Sequence, residues 1–340
     1  MFVTIKSNLK LAVAAFATAT TALAGAAWSE EVLKLSFFAS PKDPTYADVL
    51  LPWVEAINAE GAGIVRIDTF PGGALVRGPA GQAKAVSDGV VDMAWVVPAY
   101  TPGRFPDNDV MELPGVIRDV RESSIAFRRL YDQGLLSGYD DFYVPLLATT
   151  HPYAIHTVNP VNSMEDLKGM KLRAGGPVAS ASIKAIGAVP VGMPVPAIAE
   201  NISKRVLDGS GAEWNVMYAF KIIEVAKNHY MQRLGTVPLT VLFNKEKYES
   251  LSDEARAIID KHSGEALSRK FGDVHFAIQG ARLEKTMGNS DHTIVNPSEA
   301  DVAAWNAVMQ GVVDEWVATH PKGKELYSAL QAELEKIRAE

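Results

Sequence analysis

Residues 32–70 read VLKLSFFASPKDPTYADVLLPWVEAINAEGAGIVRIDTF, and this stretch alternates between strand and helix patterns. Its first eight residues alternate in polarity and end in aromatic side chains, which predicts a strand. Residues 45–60 carry apolar side chains at helical spacing, and residues 64–70 predict a second strand. A predicted helix at 78–88 and the apolar segment VDMAWVV at 91–97 follow. This order of strands and helices is typical of a parallel sheet with helices on its faces.

The chain further downstream has the same organisation without repeating the sequence. A helix at 121–134 and a strand at 143–149 lead into it. The strands and helices predicted there lie at 153–158, 170–174, 177–186, 189–193, 197–208 and 209–214. Two α/β units of this kind predict two lobes, and the cleft between two lobes is where a small ligand binds.

A long helical pattern covers residues 252–288. At 1.5 Å per residue it would span about 55 Å, which exceeds the width of one lobe and predicts a helix that bridges both. Glycines are the places where such a helix kinks or breaks, here Gly264, Gly272 and Gly280.

The strand order predicts how the chain is divided between the lobes. We expect residues 30–150 and about 238–285 in the first lobe. The second lobe is expected to hold residues 151–237 and about 286–340, which include two amphipathic helices at the end of the chain.

The N-terminal segment, residues 1–29, has the pattern of a cleaved export signal. Lys6 and Lys10 precede about 14 uncharged and mostly small residues, and small-residue cleavage sites follow. The apolar run is shorter than the roughly 20 residues that span a bilayer. A buried N-terminal helix is the alternative. We expect an exported, soluble, periplasmic protein that does not insert in the membrane.

Composition excludes several classes of function. The chain has no cysteine, which excludes disulfides, thiolate metal sites and cysteine nucleophiles. A net charge of −7 without a basic stripe argues against nucleic-acid binding. No common hydrolase, zincin, P-loop or dinucleotide motif occurs, and His151 with His156 makes a weak metal pair. The sequence therefore favours a binding protein over an enzyme and implies no cofactor.

One segment, residues 160–176, carries a family resemblance. It reads PVNSMEDLKGMKLRAGG and resembles the P-V-x-x-x-x-D-L-K-G-x-K-x-R signature of the solute-binding proteins of TRAP transporters, the DctP family. Six further segments resemble that family in order, and YTPGRFPDNDVMELPG points to its branch with a P-G-R-F-P loop. The other segments are LPWVEAI, FPGGAL, SDGVVDMAW, GAVPVGM followed by VLDG, and VLFNKEKYESLSDEARAIID.

The resemblance implies an α/β, two-lobed periplasmic-binding-protein fold with mixed sheets. It further implies a receptor that closes by a hinge around a small organic acid and delivers it to the integral-membrane subunits of a TRAP transporter. The arginine of the motif, Arg173, would pair with the ligand carboxylate, because a guanidinium presents a planar fork of donors that fits a carboxylate. A structural ion pair at a strand end is the alternative role.

The other candidate ligand-binding residues lie at strand ends or in the loops that follow. They are Phe38, Trp95, Tyr100, His156, Trp214, Asn215 and Asn244. Core packing is the alternative role for each aromatic side chain. The segment at 194–209, PVPAIAENISKRVLDG, lacks the E-x-Y pattern of many relatives and is more apolar. With Trp95, Tyr100 and Trp214 it favours a monocarboxylate with an apolar or aromatic body.

Two alternatives remain open from the sequence. One is a periplasmic α/β enzyme acting on a similar acid, with His151 or His156 as its base. The other is a receptor of an ABC or tricarboxylate-type transporter. A metal bridging the acid to the protein occurs in some relatives, but no set of ligands in this sequence points to one.

Overall fold

The computed structural model describes Met1 and residues 30–340, so the predicted export signal, apart from Met1, lies outside the described residues. The elements of the first half are β1 (Glu31–Ser36), α1 (Leu51–Glu60), β2 (Val65–Phe70), α2 (Gln82–Ser87), β3 (Met93–Val96), α3 (Val120–Asp132) and β4 (Phe142–Thr149). Those that follow are β5 (Ala154–Thr157), β6 (Lys171–Ala174), α4 (Pro177–Ala185), β7 (Val189–Gly192), α5 (Ile198–Ser203), β8 (Gly209–Ala212), α6 (Trp214–Ala219) and β9 (Asn228–Tyr230). The chain ends with β10 (Pro238–Asn244), α7 (Lys245–Glu249), α8 (Asp253–Lys261), α9 (Glu265–Met287), β11 (Thr293–Val295), α10 (Glu299–Thr319) and α11 (Gly323–Ala339).

The strands of residues 30–340 form two mixed sheets. The first has the order β2-β1-β3-β10-β4, and the second has the order β11-β9-β5-β8-β6-β7. In the first, β1 pairs in parallel with β2 and β3, while β10 runs antiparallel to β3 and β4. In the second, β8, β6 and β7 are parallel, and β5 is antiparallel to β8 and β9. The predicted two-lobed α/β architecture with mixed sheets is confirmed.

Side chains of β1 alternate between buried and exposed positions, and in this way the first sheet buries one face. Leu33 and Leu35 are fully buried, and they pack in the same core as Trp53 and Ile57 of α1. A turn of π-helix, Thr45–Leu50, precedes α1, so the predicted helix at 45–60 starts with wider hydrogen bonding than expected. At α3, Asp119 accepts hydrogen bonds from the backbone N–H groups of Arg121 and Glu122, which fixes where that helix begins.

The predicted long helix is present but broken once. Gly264 has φ +78°, a conformation that favours glycine, and its N–H donates to the carbonyl oxygen of Pro145 rather than to α8. The chain therefore restarts as α9, which has 23 residues. Gly272 and Gly280 lie inside α9 and do not interrupt it, contrary to the expectation. The helix packs against α3 and β4 of the first lobe and against α6 of the second, so it bridges the two.

The two C-terminal helices pack on different sets of elements. Helix α10 lies against α4, and its Trp305 donates a hydrogen bond to the carbonyl oxygen of Arg233. Its Val312 and Val313 join the core that also contains α3. Helix α11 packs on α3, where Leu326, Leu330 and Leu334 complete the core of the first lobe. The sequence-based boundary assigned both helices to the second lobe, because an amphipathic pattern gives the buried face but not the surface that covers it. Across residues 30–340, no helix is long and apolar enough to cross a membrane.

Candidate ligand-binding site

The site lies where the two sheets turn their edges towards each other. Because β1, β3 and β4 run in the same direction, the residues that follow them meet at one edge of the first sheet. The parallel strands β6 and β8 do the same in the second sheet. Between the edges lies the interlobe cavity, lined by Phe38, Trp95, Tyr100, Arg173 and Asn215 among others. Its empty space is about 570 Å³, including the part that opens to solvent.

Arg173, in β6, supplies a buried positive charge to this cavity. It is 4% exposed; its Nε donates to the carbonyl oxygen of Met193 at 2.9 Å, and its Nη2 donates to the hydroxyl of Tyr100 at 2.8 Å. Burial lowers the pKa of the guanidinium, but Tyr100 and Tyr153 more than offset this, so Arg173 stays charged. It forms no ion pair with a carboxylate of residues 30–340. A buried charge of this kind is costly unless it is paired.

Glu112 lies near Arg173 but forms no ion pair with it. It is 2% exposed, and its burial raises the pKa of its carboxyl well above the usual range. The charge of Asp109 acts in the same direction, and the charge of Arg173 acts against it. Two glycines make room for both groups: a Cβ at Gly175 would lie 2.8 Å from Nη1 of Arg173, and one at Gly176 would lie 2.9 Å from Oε2 of Glu112.

Tyr100 adds a hydrogen-bond donor next to the guanidinium. It ends a short 3₁₀ turn that follows β3, so it comes from the first lobe. Its hydroxyl oxygen accepts from Arg173 and, at 3.0 Å, from the backbone N–H of Val195. Both acceptor positions are therefore used, and the hydroxyl proton has no acceptor among the residues the structure describes. The Arg173 guanidinium and the Tyr100 hydroxyl can therefore both donate hydrogen bonds to one anionic group, from two directions.

Aromatic side chains form an apolar wall of the cavity. Phe37 lies 5.9 Å from Phe38 and 6.4 Å from Trp95, measured between ring centroids. Behind this wall the fully buried Phe271 stacks on Trp95 at 5.9 Å and on His275 at 4.0 Å. The aromatic surface of Phe37, Phe38 and Trp95 suits a flat apolar ligand body.

A second polar cluster, consisting of Asp43, Glu213, Asn215 and His275, also lines the cavity. Glu213 follows β8 directly and accepts a hydrogen bond from the backbone N–H of His151 at 3.2 Å. Burial raises the pKa of Glu213 to about 8, and the charge of Asp43 acts in the same direction. Burial likewise raises the pKa of Asp43. It lowers the pKa of His275 to about 3, so that histidine is neutral at pH 7.

Sequence reasoning found Asn215 in this cluster but missed Asp43, Glu213 and His275. A signal existed for the first two, since Asp43 lies in the loop after β1 and Glu213 immediately follows β8. Both positions are at the carboxyl ends of parallel strands, where ligand-binding residues gather. His275 lies within α9, and nothing in its spacing distinguishes it from a core residue.

The structure brings five of the eight predicted residues to the interlobe cavity, namely Phe38, Trp95, Tyr100, Arg173 and Asn215. Trp214 does not line it. It is one residue before Asn215 on α6 and therefore points to another side of that helix. There it borders a separate cavity with His151, Phe276 and Gln279.

His156 and Asn244 are occupied by other contacts. Nε2 of His156 is 3.0 Å from the carbonyl oxygen of Ala212 and must carry a proton, because a carbonyl only accepts. Its Nδ1 then accepts from Nδ1 of His229 at 2.8 Å. Asn244 begins α7, where its Oδ1 accepts from the backbone N–H of Lys247 and its Nδ2 donates to the carbonyl oxygen of Val86. Neither His151 nor His156, the bases of the enzyme alternative, lines the interlobe cavity.

No three histidine, aspartate or glutamate side chains of residues 30–340 are grouped so that they could bind an ion. The lining of the interlobe cavity offers a buried cation, polar side chains and aromatic surface.

Comparison with known proteins places this geometry in a family. Residues 35–320 match the model of the DctP family, bacterial extracellular solute-binding protein family 7. This chain belongs to that family. Family and fold are those of transport receptors, and the chain is a solute receptor of the TRAP type rather than of the ABC or tricarboxylate type. Proteins of the DctP family act in the periplasm.

Two solved structures are similar over almost the whole chain. A TRAP solute-binding protein from a marine metagenome, specific for aromatic acids and solved with 3-hydroxybenzoate, is 33% identical with a TM-score of 0.86. The match covers 91% of this chain and 99% of that one. A TRAP solute-binding protein from Rhodoferax ferrireducens T118, solved with copurified benzoate, is 28% identical with a TM-score of 0.85, covering 91% and 98%. Outer membrane transporter protein TsaT of Comamonas testosteroni is 28% identical over 248 residues, 70% of this chain and 71% of its own.

Proposed function

We propose that this DctP-family receptor binds an aromatic monocarboxylate in the interlobe cavity and delivers it to the membrane subunits of a TRAP transporter. One observation supports this most strongly. A buried guanidinium without a carboxylate partner in residues 30–340 lies in the same cavity as a continuous aromatic surface. The similar proteins solved with benzoate and 3-hydroxybenzoate support the same class of ligand.

The ligand carboxylate would supply the negatively charged partner that the Arg173 guanidinium lacks. Pairing a buried cation with an anion recovers electrostatic energy that desolvation has cost, and the free hydroxyl proton of Tyr100 adds a hydrogen bond to the same group. The ring of the ligand then packs on Phe37, Phe38 and Trp95. Burying roughly 100 Å² of ring surface would contribute about 2.5 kcal/mol at ~25 cal/mol per Å².

Ligand binding would favour the closed arrangement of the lobes. Tyr100 of the first lobe is hydrogen-bonded to Arg173 and Val195 of the second. A carboxylate bound to both Tyr100 and Arg173 strengthens this cross-cleft contact, and a ligand shifts a conformational equilibrium only through such differential contacts. The membrane subunits would then recognise the closed form.

Thermal unfolding tests the proposal. The mature chain, refolded to remove carried-over ligand, is melted with benzoate, phenylacetate, succinate and a sugar acid. We expect an upward shift of several degrees with an aryl acid, because a ligand at 100 times its dissociation constant stabilises by about 2.7 kcal/mol. Arg173→Ala abolishes the shift, while Arg118→Ala, at an exposed arginine outside the cavity, retains it.

Two results would contradict the proposal. A shift with succinate alone would replace the aromatic ligand by a dicarboxylate. A shift with an aryl acid that survives in Arg173→Ala would place the carboxylate elsewhere. Chemical analysis of the released acid also distinguishes a receptor, which returns the ligand unchanged, from an enzyme.

A further inference from the structure

We propose that the second polar cluster, formed by Asp43, Glu213, Asn215 and His275, binds a hydroxyl group on the ligand ring, so that the preferred ligands are hydroxyaryl monocarboxylates. This inference rests on the proposed function, because it requires the carboxylate of the same ligand to lie at Arg173. The four residues of the cluster would not contact the ligand carboxylate, and their contact with the hydroxyl would make the cavity selective among aromatic acids.

The cluster has unused hydrogen-bonding capacity inside the protein. Asn215 is 3% exposed, and its side chain makes no hydrogen bond within residues 30–340. Nδ1 of His275, which is 2% exposed, also has no partner there. Each carboxyl uses one oxygen: Oδ1 of Asp43 accepts from the backbone N–H of Thr45 at 2.8 Å, and Oε2 of Glu213 accepts from that of His151. Buried polar groups in native proteins are almost always paired, so this set indicates a polar ligand group.

The cluster is distinct from the carboxylate-binding pair. Neither Asp43 nor Glu213 forms an ion pair with Arg173. Asp43 acts on Glu213 instead, since the charge of Asp43 raises the pKa of Glu213. His275 joins the same side of the cavity through a contact of 3.3 Å between its Nε2 and Oγ1 of Thr45.

The chemistry of the cluster selects a hydroxyl over a second charge. A carboxylate placed in this buried cluster would be repelled by the charge of Asp43, the same charge that raises the pKa of Glu213. With a pKa of about 8, Glu213 is largely protonated at pH 7 and can donate a hydrogen bond, while Oδ1 of Asn215 and Nδ1 of the neutral His275 can accept one. A hydroxyl both donates and accepts, and it adds no charge to the cavity. Leaving such groups unpaired costs affinity, so a ligand without the hydroxyl binds more weakly.

Calorimetric titration of the refolded mature chain tests this inference. The probes are benzoate, its three monohydroxy isomers, 3-aminobenzoate and isophthalate. We expect at least one hydroxybenzoate to bind about 10- to 100-fold more tightly than benzoate, and isophthalate to bind more weakly than either. In Asn215→Leu and Asn215→Ala, the ratio of the dissociation constant of benzoate to that of the preferred hydroxybenzoate should fall towards one. These changes remove no hydrogen bond within residues 30–340, and a melting curve checks folding.

Arg173→Lys is the matched control. It should weaken benzoate and hydroxybenzoate by similar factors and so keep their ratio. If no aryl acid binds, the proposed function fails. If benzoate and all three hydroxybenzoates bind equally, or 3-aminobenzoate or isophthalate binds best, the proposed function stands and this inference is overturned. A preference for the hydroxy acid that persists in both Asn215 variants overturns it as well.

Discussion

Tyr100 joins the two lobes, and in the proposed complex it also contacts the ligand. Its hydroxyl accepts hydrogen bonds from Arg173 and from the backbone of Val195, and we propose that its proton is donated to the ligand carboxylate. Tyr100→Phe leaves the aromatic ring but removes all three interactions. We expect about a tenfold loss of affinity for the aryl acid, because the guanidinium remains but one charge-assisted donor is lost. Calorimetry measures it, and unchanged affinity would show that the hydroxyl does not contact the ligand.

Glu213 makes the folding stability of the protein decrease as the pH rises. The folded-state pKa is about 8, against 4.5 for an unperturbed glutamate. The folded state therefore retains a proton that the unfolded state loses. The stability from this group is fully present below about pH 4.5, and it is lost as the pH rises to about 8. Burial is the main cause, and Asp43 is the charged group that acts on it.

Glu213→Gln cannot ionise and removes this dependence. We expect the unfolding free energy of the wild type to fall steadily, relative to that of Glu213→Gln, as the pH rises from about 5 to about 8. Denaturant titrations at several pH values measure it. Contributions of His151, His275 and other buried groups occur in both proteins and cancel in the difference. A difference that stays constant over this range would mean that Glu213 titrates normally.

At the scale of elements, α9 depends on a close approach to α3. A Cβ at Gly272 would lie 2.8 Å from the Cα of Arg121, so only glycine fits there without a shift of backbone. Gly280, eight residues later in the same helix, has nothing within 4 Å of its Cβ position. We expect Gly272→Ala to destabilise the protein by about 1–3 kcal/mol. Gly280→Ala should stabilise it by up to about 1 kcal/mol through helix propensity.

Denaturant unfolding of the two glycine variants gives the comparison. Both changes add one methyl group to the same helix, so propensity alone would move their stabilities in the same direction. Equal effects would contradict the tight packing of α9 on α3, and with it the account of how this helix holds the first lobe.

The elements themselves were predictable from the sequence, while their contacts were only partly so. Period-two and helical patterns predicted β1, α3 and the end of α9 within a few residues, but they joined α8 and α9 into one helix. The break at Gly264 was not distinguishable from Gly272, because both are glycines in one helical pattern and only a tertiary contact separates them. His156 and Asn244 lie at plausible strand positions, but hydrogen bonds to Ala212, His229 and Val86 occupy them. Sequence gives the strand on which a residue lies, whereas the direction of its side chain depends on packing.

At the scale of the whole molecule, the site exists because the chain crosses between the lobes and returns. Strand β10 returns to the first sheet after the second lobe is complete, and α9 then packs against both. The carboxyl edges of the two sheets are thereby held facing each other, with Arg173 on one side and Tyr100 on the other. The family resemblance anticipated Arg173 from its motif. The positions of Asp43 and Glu213 after parallel strands were readable from the sequence, but their proximity was not, because they are far apart in the chain and both line the cavity only once it is folded.

A crystal structure of the mature protein with bound benzoate tests the central claim most directly. The account predicts that both carboxylate oxygens lie at hydrogen-bond distance, about 3 Å, from the Arg173 guanidinium and the Tyr100 hydroxyl. The ring would lie against Phe37, Phe38 and Trp95. A carboxylate found at Asp43 and Glu213 instead, or an interlobe cavity left without benzoate at saturating concentration, would contradict it.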